Sequence, residues 1–201
     1  MTTIPSRILL CALMALPLAA CGGDEKPRSF AAPDYSNLRK VELNVANIDI
    51  DEHDPPVDAR DMSLLAPNKP ADVLREMART RLVPNASSGH AVFTVEQASV
   101  VLQRDKLLGN MAVRLEVSTS DGLRTGFAEA RVTQTHDYEN DGPNATRAAL
   151  DDLINQMMTK MNVEFIYQVR RSLRSYLMTT PTDAPAPSQP IQSEDLTAPK
   201  T

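Results

Sequence analysis

The chain of 201 residues has no tryptophan, four phenylalanines and four tyrosines. That poverty excludes an extended aromatic platform on which sugars or bases would stack. Cysteine occurs only at Cys11 and Cys21, so the folded part holds neither a disulfide framework nor a thiolate zinc site. The three histidines, His53, His90 and His136, never fall at i, i+4, and no zinc-protease motif exists. There is no Gly-rich phosphate loop, no G-x-S-x-G elbow and no Ser-x-x-Lys pair. These gaps point away from an enzyme and imply neither cofactor nor metal. Basic charge is also short. Lys and Arg number 21 against 26 Asp and Glu, a net charge of −5, which is no footprint for nucleic acid.

Long apolar runs are missing too. The longest, Ile8 to Ala20, is broken by Pro17 and covers 13 residues. A helix crossing a hydrocarbon core needs ~20. One basic residue, Arg7, a short apolar middle and small residues at the end instead form a secretory signal over residues 1–20. Removing it takes away Arg7 alone among charged residues and moves the net charge from −5 to −6. Residues 21–38 are small, polar and Pro-containing, a flexible tether. Residues 179–201 hold five prolines and only two large aliphatic side chains, Ile191 and Leu196. That composition buries too little apolar area to offset its ordering entropy, so it reads as a disordered tail. One domain over 39–178 remains.

Within it, residues 39–50 alternate as a half-buried strand, with Val41, Leu43 and Val45 on one face. Ile48 and Ile50 resume on the opposite parity, the mark of a β-bulge. Residues 51–69 are acidic and Pro-rich and read as a loop. Pro70 suits the first turn of a helix that carries Val73, Leu74, Met77 and Ala78 on one face and stops at Val83-Pro84. Strands follow at 91–103, 110–118 and 123–133, the last two joined by the hairpin signal Ser120-Asp121-Gly122. Met111, Val113, Leu115 and Val117 face in, as do Ala128, Ala130 and Val132, with Phe127 outward. Gly126 marks a bulge or a close neighbour.

The last element is long. Leu150, Leu153, Ile154, Met157, Met161, Phe165, Val169, Leu173 and Tyr176 recur at steps of three and four. One helix over 147–178 reaches about 48 Å at ~1.5 Å per residue. A strand of eight residues spans only ~27 Å. The helix therefore bends or overhangs its sheet, and an overhang would expose apolar surface to a partner. The order β-α-β-β-β-α makes an α+β two-layer sandwich with a mainly antiparallel sheet of about four strands.

Two acidic patterns bear on metals. Asp137-Tyr138-Glu139-Asn140-Asp141-Gly142 opens like a calcium loop, but its twelfth position is Ala148, where a bidentate carboxylate belongs. It reads as a polar turn before a helix capped by Asn144 or Thr146. Alternation places Asp49, Asp51 and His53 on one side of an extended chain, either a weak divalent site or a solvated strand end. Met157, Met158 and Met161 read as core, or as an adaptable binding face.

Leu18-Ala19-Ala20-Cys21 resembles the lipobox of bacterial lipoproteins. The resemblance implies cleavage before Cys21 and acylation of its sulfur. Gly22, where Asp would retain the chain at the inner membrane, implies the outer membrane. Leu43-Asn44-Val45-Ala46, the strand Phe93 to Ser99, Ala112 to Val117, Gly126 to Ala130 and the long terminal helix resemble a family of uncharacterised proteobacterial lipoproteins. The element order is similar to lipopolysaccharide-assembly lipoproteins and to auxiliary lipoproteins of lipid-transport systems. The expectation is a periplasm-facing, lipid-anchored, non-catalytic protein that binds or supports another envelope component through its long C-terminal helix. The alternative is a carrier of lipid or another hydrophobic ligand.

Overall fold

The computed structural model describes residues 29–56 and 58–177. The expected signal, Cys21, residues 21–28 of the expected tether and the expected tail lie outside them. Ten elements follow in order: β1 (Val41–Leu43), β2 (Asn47–Ile50), a 3₁₀ turn at Ser63–Leu65, α1 (Pro70–Arg81), β3 (Leu82–Pro84), β4 (His90–Gln103), β5 (Lys106–Ser118), β6 (Thr125–Asp137), α2 (Pro143–Ser172) and a 3₁₀ turn at Arg174–Tyr176. The architecture is α+β. A four-stranded sheet runs β2-β4-β5-β6, and β1 pairs with β3 in a separate two-stranded sheet. β2 is parallel to β4, and both later pairings are antiparallel. α1 makes the crossover from β2 towards β4, as a parallel neighbour demands.

The parity slip between Val45 and Ile48 is a real boundary but not a bulge. The chain breaks at Asn44–Ala46 and the two halves enter different sheets. Val45, fully buried, plugs the break. A true bulge sits elsewhere, between Val95 and Gln97, and it re-aims the second half of β4 so that Ala98 and Val100 still face the core.

The strands are longer than their alternation suggests. β5 begins at Lys106, not residue 110, and β6 runs to Asp137, not residue 133. A two-residue turn, Arg104-Asp105, joins β4 to β5, with Arg104 at φ +57° in the left-handed region. It lacks the Asn-Gly or Gly signature of such turns and so hides in the sequence. Thirteen residues at ~3.4 Å span about 44 Å, and the thirty of α2 at ~1.5 Å span about 45 Å. Helix and hairpin therefore match, and the expected overhang does not exist. The stripe from Leu150 to Leu173 is buried throughout.

Two glycines let α2 approach. A Cβ on Gly109 would press into the Met157 Sδ and sit 3.0 Å from its Cε. A Cβ on Gly126 would lie 2.9 Å from both Leu173 Cδ2 and Tyr176 Cε2, so Gly126 marks a close neighbour. Phe165 reaches over β5 to meet Phe93 edge-on, centroids 5.8 Å apart. Gly142, at φ +103°, leads into Pro143 at the first helical position, so α2 starts before Asn144 and neither Asn144 nor Thr146 is its N-cap. Thr146 instead bonds the Gly142 carbonyl at 3.0 Å and the Tyr138 hydroxyl at 2.8 Å.

Packing begins ahead of residue 39. Tyr35 is buried in the core cluster, so part of the expected tether belongs to the folded body. Arg81, also buried, ties α1 to α2 and to the segment ahead of β1. Its guanidinium donates to the Arg39 carbonyl at 3.1 Å and to Asn162 Oδ1 of α2 at 2.9 Å. Both partners are neutral, and burial lowers its pKa.

Candidate functional site

The acidic run after β2 is answered by arginines on α1. Arg75, almost wholly buried, donates to the carbonyls of Asp51 (3.1 Å) and His53 (2.6 Å) and to Asp54 Oδ1 (2.9 Å). Arg79 pairs with Glu52. Asp51 itself is bonded to His53, through that residue's backbone N–H at 3.0 Å and its ring Nδ1 at 2.5 Å. The His53 backbone N–H, then its ring, hold the Asp51 carboxyl below the ordinary 3.8. Asp49 points instead towards His90, 3.6 Å away. Asp49 thus turns away from Asp51 and His53, which bond each other, while the Arg75 guanidinium takes the Asp54 carboxylate and the carbonyls beside it.

The second acidic pattern also disperses. Asp137 pairs with Lys106 across the sheet at 2.5 Å, and Tyr138 turns inward to Thr146. Among the described residues, no three His, Cys, Asp or Glu side chains gather in a metal-binding arrangement. Met157, Met158 and Met161 are core residues.

What the fold leaves open is surface. The outer face of the sheet carries a lattice of alternating charge. Arg114 bonds Glu129 at 2.9 Å, and Arg131 bonds Glu96 at 3.0 Å. The half-exposed Phe127 lies under Arg114, 4.2 Å from guanidinium carbon to ring centroid. Val163 and Tyr167 of α2 are 71% and 54% exposed, the largest apolar side chains that helix shows to solvent. A cleft of about 470 Å³ runs between α2 and β6, lined by Arg131, Thr133, Lys160 and Val163 among others. A smaller one, about 330 Å³, lies between α1 and the segment around Tyr35.

The two edges of the sheet differ. Beyond the short β2, the open side of β4 is covered by residues 61–63. Met62 N–H bonds the Val100 carbonyl at 2.7 Å, and the Val100 N–H is taken by Ser63 Oγ at 2.9 Å and Asp61 Oδ1 at 3.2 Å. On the other side, among the described residues, no strand pairs with β6. The sequence holds a sign of this edge in the regular alternation of residues 125–133, but neither its length nor its bareness.

No family model matches the chain, and no curated protein does. Among solved structures it is similar to protein XCC0632 from Xanthomonas campestris, of the family model DUF330. The identity is 12% and the TM-score 0.36, over 72% of this chain and 92% of that one. A likeness this slight carries no functional conclusion. Among the described residues, no helix is long and apolar enough to cross a membrane.

Proposed function

We propose that the chain is a membrane-anchored bacterial envelope lipoprotein without catalytic activity, which binds or supports another envelope component. One observation carries the reading. Leu18-Ala19-Ala20-Cys21 closes a short apolar run of signal length and is followed by Gly22. Two or more acyl chains on Cys21 would anchor the chain stably, because one chain alone binds a bilayer only marginally. The domain would then face the periplasm, and Gly22 favours the outer membrane.

The binding half of the reading rests on the exposed flank of α2, where Val163 and Tyr167 stand clear of the core. Labelled palmitate should appear on the wild-type chain and vanish in Cys21→Ser, which should also leave the membrane fraction after a salt wash. Membrane retention of Cys21→Ser would end the anchor reading. A photo-crosslinking side chain at position 163 or 167 in intact cells should capture one reproducible envelope protein. Repeated capture of none would end the binding reading.

A further inference from the structure

The ladder between β5 and β6 runs from Lys106↔Asp137 to Ser118↔Thr125 without a register shift. Directly opposed residues in such a ladder alternate between exchanging two hydrogen bonds and exchanging none. Bonds at both ends fix the phase: Thr119 N–H to the Arg124 carbonyl and Tyr138 N–H to the Asp105 carbonyl. Even-numbered residues of β6, Ala128, Ala130 and Val132 among them, therefore turn their backbone groups to β5. Phe127, Glu129, Arg131, Thr133 and Thr135 turn theirs to the open edge. The Gln134 side-chain amide reaches the Thr135 carbonyl there, 3.3 Å away.

Edges of this kind are usually blunted by proline, lysine, a bulge or a covering loop. The thirteen residues of β6 contain no proline, no lysine and no bulge. We propose that β6 pairs antiparallel with β6 of a second copy of this chain, about a two-fold axis through Ala130.

The register follows from charge and size. A two-fold axis at Glu129 sets that carboxylate against its own copy, and an axis at Arg131 does the same with two guanidinium groups. An axis at Ala130 sets Glu129 opposite Arg131 of the second copy, twice. It also sets Phe127 opposite Thr133 on the outer face. With the phase given above, Ala130 meets Ala130 as a pair that exchanges no hydrogen bonds, where side chains come closest. Alanine is small enough to sit there. Glu129 and Arg131 meet as a pair that does exchange them, so ladder and ion pairs reinforce each other. The chain's own residues 179–201 compete poorly for the edge, since their five prolines cannot donate to a ladder.

The test uses the full chain in density-matched detergent, by sedimentation and by residue-resolved amide exchange at several dilutions. The expected result is a dimer at high concentration. The amides of Phe127, Glu129, Arg131 and Thr133 should lose protection on dilution, while those of Ala128 and Ala130 keep theirs. Arg131→Glu should weaken the dimer by about tenfold or more, and Glu129→Arg with Arg131→Glu should restore it. Thr133→Pro removes an outward backbone donor and the side-chain bond to Asn110 but no backbone bond to β5. It should abolish the dimer, where Thr133→Val, which loses the same hydroxyl but keeps the donor, should not, and the pair serves if the charge reversal unfolds the chain. A monomer at every concentration, a dimer indifferent to these changes, or outward amides equally protected at every dilution would each overturn the proposal. The last result would mean that the chain covers its own edge. Lipid on Cys21 enters none of these readouts.

Discussion

Gly109 offers the sharpest test of how the two layers meet. Replacing it by alanine places a Cβ against the Met157 Sδ, 3.0 Å from its Cε and 3.4 Å from Leu153 Cδ2. Carbon atoms rest at about 3.5–4.0 Å, so the thioether must swing away. Met157 has the rotatable bonds to do so, but it is fully buried, and Leu153 and Met161 beside it are too. Overpacking of this size costs about 1–3 kcal/mol. Against that, alanine stiffens the unfolded chain and returns about 0.4–1 kcal/mol. The net expectation for Gly109→Ala is a loss of about 1–2 kcal/mol, read from urea unfolding at constant m-value. Met157→Ala alone should cost about 2–5 kcal/mol by opening a cavity. In that background Gly109→Ala should cost nothing or stabilise, because the new methyl enters the vacated space. The double-mutant cycle then gives a coupling of at least about 1 kcal/mol. If Gly109→Ala stabilises the wild type, or costs the same with and without Met157, the close approach of α2 to β5 is wrong.

Three further expectations follow from single side chains. The Tyr35 hydroxyl is buried with no hydrogen-bond partner among the described residues, and burial, then the charge of Glu76, pushes its pKa up. Tyr35→Phe should raise stability by about 1 kcal/mol in chemical denaturation, and a loss would show that the hydroxyl has a partner. Arg75→Ala should cost about 3 kcal/mol and free residues 51–54 for proteolysis, with Arg75→Lys recovering only part, since an ammonium cannot fork between two carbonyls and a carboxylate. The folded Asp51 carboxyl lies below its unfolded value of 3.8, so its contribution is complete above that pH and is lost as pH falls through the lower folded value. Asp51→Asn should flatten the acid limb of the stability curve, and an unchanged limb would refute the His53 bonds.

Much of the architecture can be read from periodicity. The inward set Met111, Val113, Leu115 and Val117 is buried, and so is every member of the α2 stripe from Leu150 to Leu173. Pro70 opens α1, as its position before an apolar stripe requires. What escaped was local. Arg104-Asp105 makes a tight turn without a turn sequence, because Arg104 takes a left-handed φ that its neighbours impose. Missing that turn shortened β5 and its partner β6, and so left the long helix to bend or to overhang a sheet that is in fact as long as it is. The acidic run 49–54 looked like a ligand set because the arginines that pair with Glu52 and Asp54 lie more than twenty positions away on α1.

The amino-acid order alone determines the short apolar run that ends at Cys21, the two amphipathic helices and the alternation of the hairpin strands, because each depends on residues a few positions apart. Only the folded chain decides which strand is left at the edge, which backbone groups it turns outward and which carboxylates meet a guanidinium. Those depend on pairings between distant segments, and no local period encodes a neighbour that is absent.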